Sequence, residues 1–126
     1  MKLRTIGLFI FSLYLMLVMG CSNATMAPMP EYLLGTWGNQ THRFEERYIQ
    51  FNKTDLIFGT GAEAPTIFKI KKITENRKDK HIEWTFFCST RQNFAMNIVL
   101  FYTNNADGAY FILSNNRDIK WTKSQE

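Results

Sequence analysis

Short segments rich in aromatic and β-branched residues recur along this chain, and clusters of Asn, Asp, Gly and Lys separate them. Residues of the first kind favour extended strands, whereas those of the second kind favour tight turns. A regular succession of such segments is typical of an all-β sandwich or barrel. We therefore predict eight strands, at residues 34–38, 47–51, 55–59, 66–73, 81–88, 94–103, 109–113 and 118–123.

Apolar residues at every second position indicate which side of a strand faces the core. Trp84, Phe86 and Cys88 alternate with polar residues, so these three side chains are predicted to point inward. Residues 75–80 carry charges without such alternation and are predicted to form a solvated loop. The predicted aromatic core consists of Trp37, Phe51, Phe58, Phe68, Trp84, Phe86 and Trp121.

The segment from Phe94 to Thr103 is apolar on both of its faces. The face expected to point inward carries Phe94, Met96, Ile98, Leu100 and Tyr102. Val99 and Phe101 make the opposite face apolar too, and a strand of this kind is normally covered on both sides. Two hypotheses are equally supported. In the first, Phe87, Val99 and Phe101 form an outward patch for a partner; in the second, a loop or the N-terminal segment covers them.

The first predicted strand carries the motif Leu-Gly-Thr-Trp-Gly, in which Gly35 and Trp37 resemble the Gly-x-Trp signature of lipocalins and related eight-stranded barrels. This resemblance implies that Gly35 lets the strand bend and that Trp37 closes the floor of the barrel. It also implies that a basic residue of the last strand packs over the indole of Trp37. Lys120 and Lys123, which flank Trp121, are the candidates for that residue.

The predicted fold is an all-β, small antiparallel up-and-down barrel of about eight strands that resembles a lipocalin and spans residues 33–126. A barrel of eight strands is just wide enough to be packed by its own side chains or to hold one small ligand. Residues 21–126 supply nine phenylalanines and three tryptophans, and this composition favours the packed interior.

The N-terminus carries a different pattern. Lys2 and Arg4 precede an apolar run over residues 6–19, and Gly20 and Cys21 follow this run. The order resembles the signal of bacterial lipoproteins. One alternative is an ordinary signal peptide that is cut nearby, as at the alanines 24 or 27. The other is a membrane anchor, although the run is shorter than the roughly 20 residues of a spanning helix.

The resemblance to lipoproteins implies that residues 1–20 are removed and that Cys21 receives acyl chains such as palmitate. Several acyl chains on one cysteine hold a protein firmly to a membrane. Residues 21–32 are then a lipidated N-terminus and a flexible, proline-containing tether. Ser22 follows the cysteine, which implies sorting to the outer membrane with the domain facing the periplasm.

Charge and cysteine content argue against a nucleic-acid-binding protein and against a domain held together by disulfides. Removal of Lys2 and Arg4 lowers the formal net charge from +4 to +2, which argues against a nucleic-acid partner. With Cys21 lipidated, Cys88 has no intrachain disulfide partner and is most simply a small buried hydrophobe. A basic stretch is interpreted as a solvated face rather than as a site for anionic lipid or polysaccharide; it comprises Lys69, Lys71, Lys72, Arg77, Lys78 and Lys80.

Residues that could support catalysis or metal binding are sparse. His42 could share a metal with Glu45 and Glu46 only if that stretch were helical, and His81 and Glu83 share a strand face that is expected to be exposed. No Ser/His/Asp arrangement and no glycine-rich phosphate loop is recognisable in the sequence. We therefore expect a protein that is not an enzyme and that needs neither a metal nor a cofactor.

The sequence thus favours a membrane-anchored bacterial lipoprotein with a non-catalytic binding role for a small apolar or envelope-derived ligand. The alternative is an anchored interaction subunit or inhibitor that binds a protein partner through the segment from Phe94 to Thr103 or through the loops of the barrel. An enzyme is the least supported of the three classes.

Lipidation of Cys21 is directly testable. Mass spectrometry of the native protein should show a mature chain that begins at Cys21 and carries the added mass of acyl groups. An unmodified thiol at this position, or a chain that begins further downstream, would contradict the lipoprotein interpretation.

Overall fold

The structure, a computed structural model, describes residues 25–41 and 45–124; the predicted signal, Cys21 and His42 lie outside these ranges. A 3₁₀ helix of one turn (Glu31–Leu33) precedes the second strand. The strands are β1 (Thr25–Met26), β2 (Gly35–Gly38), β3 (Tyr48–Phe51), β4 (Asp55–Gly59), β5 (Thr66–Arg77), β6 (Ile82–Ser89), β7 (Ala95–Asn105), β8 (Gly108–Leu113) and β9 (Asn116–Lys123).

Strands β2 to β9 form a closed, eight-stranded antiparallel barrel, which confirms the predicted fold class. Each strand pairs with the next along the chain, and β9 returns to pair with β2 at Trp37↔Lys123 and Gly38↔Thr122. Strand β1 lies outside this ring and pairs with β5. No helix among the described residues is long and apolar enough to cross a membrane.

Strand β5 extends further than the sequence indicated. Residues 75–77, predicted to open a charged loop, continue the strand and pair with β6 through Glu75↔Trp84 and Arg77↔Ile82. Strand β1 pairs with the other edge of β5 at the same level. Pairing on both edges therefore overrides the local preference of a polar segment for a loop. The other seven predicted strands match the structure to within two residues at each end.

Two irregularities of register bend the wall of the barrel. The pairing of β5 with β6 shifts between Ile70 and Lys72. The pairing of β8 with β9 shifts between Phe111 and Leu113. Such bulges bend a strand and increase its twist, which helps a small sheet to close on itself.

Aromatic side chains fill the interior of the barrel. Of the predicted core, all residues but Phe58 are buried, and Phe58 is partly buried with its ring 5.1 Å from that of Phe68. Phe111, absent from the predicted core, is fully buried and contacts Trp37 at 5.0 Å and Phe51 at 5.6 Å between ring centroids. The interior therefore consists of interlocking rings contributed by strands from all around the barrel.

Two residues that were expected to point into the core are exposed. Phe94 is 66% exposed and Met96 is 46% exposed, so their predicted burial is wrong. Strand β8 pairs with β7 only between Leu100↔Leu113 and Asn105↔Gly108. The start of β7 therefore projects past the end of β8, and its inward face lies at the open rim of the barrel.

The N-terminal segment packs on the barrel, although residues 26–30 were expected to be an extended tether. The amide of Ala27 donates a hydrogen bond to the carbonyl oxygen of Ile73 at 3.0 Å. Ala27 and Met29 pack against the core, and Leu33 is fully buried within it. Apolar side chains between the prolines explain this difference, since they gain more by burial than by exposure.

Trp84 provides a test of the inward face of β6. Its side chain is 3% exposed, and its replacement by alanine should lower the free energy of unfolding by about 3–5 kcal/mol, the usual cost of emptying an aromatic core position. Urea denaturation measures this loss. Thr85→Ala, on the outer face of the same strand, is the matched control and should cost less than about 1 kcal/mol. Equal losses for the two variants would contradict the assignment of the inward face.

Candidate functional site

The Gly-Thr-Trp motif lies where the first and last barrel strands meet. The indole Nε1 of Trp37 donates a hydrogen bond to the carbonyl oxygen of Leu33 at 2.9 Å. The Nζ of Lys123 lies 5.8 Å from the centroid of the Trp37 ring. Gly35 has φ +117°, and a Cβ at this position would lie 3.1 Å from Cε of Lys123. The backbone conformation therefore favours glycine here, and a Cβ would also oblige the side chain of Lys123 to shift by a few tenths of an ångström.

Tyr32 closes the same end of the barrel from the 3₁₀ helix. Its hydroxyl accepts a hydrogen bond from Nε1 of Trp84 at 3.0 Å, and its ring lies 4.5 Å from that of Tyr102. The Nζ of Lys123 donates a hydrogen bond to the backbone carbonyl oxygen of Tyr32 at 3.1 Å. Partial burial raises the pKa of the Tyr32 hydroxyl, so it remains a neutral hydrogen-bonding group. This end of the barrel is thus covered by the protein's own N-terminal segment.

A groove lies on the outer face of β6 to β9. It has a volume of about 1150 Å³, and its lining includes Phe101, Tyr110 and Ile112 together with the loop that joins β5 to β6. We call it the outer groove and define its floor by these three residues. Its rim comprises Lys78, Asp79, Lys80, His81, Glu83, Thr103, Asn104, Asn105 and Arg117.

The floor of the outer groove follows from the alternation of β7 and β8. Tyr102 and Phe111 face the interior, so their neighbours along the chain face outward. Phe101 pairs with Ile112 in the register of the two strands, which places both side chains on the outer face. His81, in the preceding loop, packs edge-on against Phe101 at 5.2 Å. The loop therefore forms one wall of the groove.

Two cations lie over aromatic rings on this face. Cζ of Arg117 is 5.2 Å from the centroid of Phe101, and Nζ of Lys120 is 4.7 Å from that of Tyr110. Lys120 thus contacts the outer face, while Lys123 is the lysine that lies over Trp37. Within residues 25–41 and 45–124, neither Arg117 nor Lys120 forms an ion pair with a carboxylate. Attraction between each cation and its ring holds the charge in place at this surface.

The three residues of the predicted partner patch have separate surroundings on the outer face. Phe101 lies in the outer groove, where His81 and Arg117 partly cover it. Phe87 lies outside the groove lining and has Nζ of Lys72 5.3 Å from its ring centroid. All three are half-buried, Val99 included. The loop that joins β5 to β6, rather than the N-terminal segment, thus supplies the cover over Phe101.

His81 and Glu83 are the candidate catalytic and metal-binding residues that the structure brings together, while His42 lies outside the described residues. Glu83 pairs with Phe101 in the register of β6 and β7, and both Glu83 and His81 line the outer groove. The described part of the chain contains no group of three or more side chains that could hold a metal ion. Burial raises the pKa of the Cys88 thiol to about 11, which makes it a poor nucleophile at neutral pH.

The sequence interpretation missed Tyr110, Ile112 and Arg117. A usable signal was present, because residues 109–113 are apolar on both faces, as the segment from Phe94 to Thr103 is. Two adjacent strands of this kind predict an apolar strip on the outside of a barrel. The position of Arg117 could not be found in this way, since it depends on the shifted register between β8 and β9.

No protein-family model, curated protein or solved structure matches this chain. Its function is therefore inferred from the arrangement of its own residues.

The raised pKa of Cys88 gives a measurable outcome. At pH 8 the folded protein should react with iodoacetamide about a hundredfold more slowly than the urea-unfolded chain, because only the thiolate reacts and its pKa rises from 9.0 to about 11 on folding. The unfolded chain loses this proton first, so stability should fall as the pH rises from 9.0 towards about 11. Equal rates of alkylation in the two states would show that Cys88 is not buried.

Proposed function

We propose that this protein is a bacterial lipoprotein, anchored through Cys21 to the outer membrane and facing the periplasm, with a non-catalytic binding role. Its ligand is a component of the cell envelope, and the outer groove receives it. In this proposal the barrel is a solid scaffold, and recognition takes place on its outer wall rather than in a central cavity.

The observation that carries this proposal is the contrast between the interior and the outer face. The centre of the barrel is occupied by the rings of Trp37, Phe51 and Phe111, which lie 5.0 to 6.5 Å apart. The outer groove combines an apolar floor with a polar rim, and this combination is typical of ligand sites. The outer face therefore offers an accessible surface for recognition, whereas aromatic rings occupy the interior of the barrel.

The path of the N-terminal segment supports an anchored protein. Thr25 pairs with Glu75 near the end of β5, and the next loop forms a wall of the outer groove. Thr25 lies four positions after Cys21, a distance of at most about 14 Å in a fully extended chain. A lipid on Cys21 would therefore hold the end of the barrel that carries this wall close to the membrane. The position of Lys123 over Trp37 supports the lipocalin-like interpretation of the barrel.

A second candidate function is supported by the exposed rim of the barrel. Phe94, just before β7, and Met96, within it, are large exposed apolar side chains, and Met96 has a partner on β6 but none on β8. Exposed apolar residues of this kind are typical of protein contacts. An anchored interaction subunit or inhibitor would use this rim, together with the rest of the segment up to Thr103.

Site-specific photo-crosslinking in living cells separates these two candidates. We expect a photoreactive phenylalanine analogue at Tyr110 to form a covalent adduct with an envelope component, and the adduct should disappear when Ile112→Glu places an unpaired charge in the floor of the groove. The same analogue at Phe94 is the matched control. Adducts from position 94 alone, formed with a protein, would replace the first candidate by the second.

A further inference from the structure

We infer that the outer groove binds a saccharide chain that carries carboxylate groups, an inference that rests on the proposed function and names its ligand class. The relevant surface combines three features: aromatic rings on the floor, an excess of cations at the rim, and side-chain amides beside them. Together these features argue against a purely apolar ligand and against a dense polyanion.

The aromatic rings of the floor suit the apolar face of a sugar ring. Phe101 and Tyr110 lie on adjacent strands of the outer face, with Ile112 beside them. The C–H groups on one face of a pyranose carry partial positive charge, whereas the face of an aromatic ring carries partial negative charge. A sugar would therefore pack against these rings beside Arg117 and Lys120, while its hydroxyl groups reach the polar rim. A purely apolar ligand would leave that rim without partners.

The charges of the groove favour an acidic ligand but not a dense polyanion. Asp79 and Glu83 line the groove beside the cations and would repel a chain with a charge at every unit. The same carboxylates can accept hydrogen bonds from sugar hydroxyls. Three cations of the lining, Lys78, Lys80 and Arg117, outnumber these two carboxylates, and Lys120 lies beside the groove over Tyr110. Lys78 and Lys80, which were predicted from the sequence to lie on a solvated face, belong to the binding surface in this inference.

Arg117 is placed to bind a carboxylate. Its guanidinium lies over Phe101, and it has no ion-pair partner within residues 25–41 and 45–124. A stacked guanidinium keeps its N–H groups in the plane of the group, where they match the two oxygens of a carboxylate. Lys120 lies over Tyr110 in a similar way and supplies a second positive charge three residues further along β9.

Two asparagines complete the polar rim. The Oδ1 of Asn105 accepts a hydrogen bond from the amide of Asp107 at 2.9 Å, which fixes this side chain at the turn between β7 and β8. Its NH₂ group and the amide of Asn104 then offer both donors and an acceptor to the groove. Such groups pair with hydroxyls, which a saccharide carries at nearly every carbon.

The size of the groove favours a chain over a single sugar. Its volume of about 1150 Å³ is slightly above the range of about 300–1,000 Å³ of small-molecule sites. It extends from the loop after β5 across the outer face to Arg117 on β9. A groove of this volume that crosses four strands, β6 to β9, favours an extended glycan of the envelope over a free monosaccharide.

The test uses the mature lipidated protein in nanodiscs of zwitterionic phospholipid. The probe is a hyaluronan hexamer, in which glucuronic acid alternates with N-acetylglucosamine, so a carboxylate is present on every second sugar. We expect the hexamer to bind and its methyl ester to bind roughly tenfold more weakly, because charge-assisted hydrogen bonds are lost. Arg117→Gln should weaken binding of the hexamer by a similar factor, whereas Arg91→Gln, on the exposed loop between β6 and β7, should change it by less than about twofold.

Tyr110 separates stacking from simple charge attraction. Tyr110→Ala should weaken binding of the hexamer roughly tenfold, whereas Tyr110→Phe keeps the ring and should stay within about threefold of the unmodified protein. Near-UV circular dichroism checks that each variant is folded. Equal binding of the methyl ester, or equal affinities of Tyr110→Ala and Tyr110→Phe, would overturn the inference.

The outcome also distinguishes this inference from the proposed function. If the hexamer fails to bind while the photo-crosslink from Tyr110 persists in cells, the saccharide assignment is wrong and the groove has another envelope ligand. If the crosslink is absent as well, both the ligand class and the use of this groove are wrong.

Discussion

Trp37 stands at the junction that closes the barrel. Strand β2 has four residues, and its pairing with β9 involves Trp37↔Lys123 and Gly38↔Thr122. So short a ladder adds few backbone hydrogen bonds to hold the two ends of the sheet together. The ring of Trp37 contacts those of Phe51, Tyr102 and Phe111, which come from three other strands. Closure of the barrel therefore depends on aromatic packing around one side chain more than on the ladder itself.

This mode of closure has a consequence for recognition. Aromatic rings fill the centre of this barrel, so the proposed ligand would have to be recognised on another surface. Strands β7 and β8 provide that surface because they are apolar on both faces, with Tyr102 and Phe111 inside and Phe101 and Ile112 outside. The same pair of strands thus contributes to the core and to the floor of the outer groove.

The sequence was sufficient for those parts of the fold that depend on local pattern. Alternation and turn residues predicted eight strands and the all-β class, since neighbouring strands of an up-and-down barrel are also neighbours in the chain. Burial of Phe94 and Met96 was predicted wrongly because it depends on where β8 ends, which their own residues do not specify. Of the floor of the outer groove only Phe101 was foreseen, and the position of Arg117 was missed because it depends on the irregular register between β8 and β9.

The N-terminal segment connects the barrel to whatever precedes it in the chain. Leu33 is buried in the core, Trp37 donates a hydrogen bond to its carbonyl oxygen, and Trp84 donates one to the hydroxyl of Tyr32. Because these contacts reach the centre of the barrel, the segment cannot swing freely about the domain. An anchor attached ahead of β1 would therefore restrict the orientation of the barrel as well as its distance from the membrane. The outer groove would then face a restricted region of the envelope, which favours binding of an extended, immobile polymer over a ligand that diffuses freely.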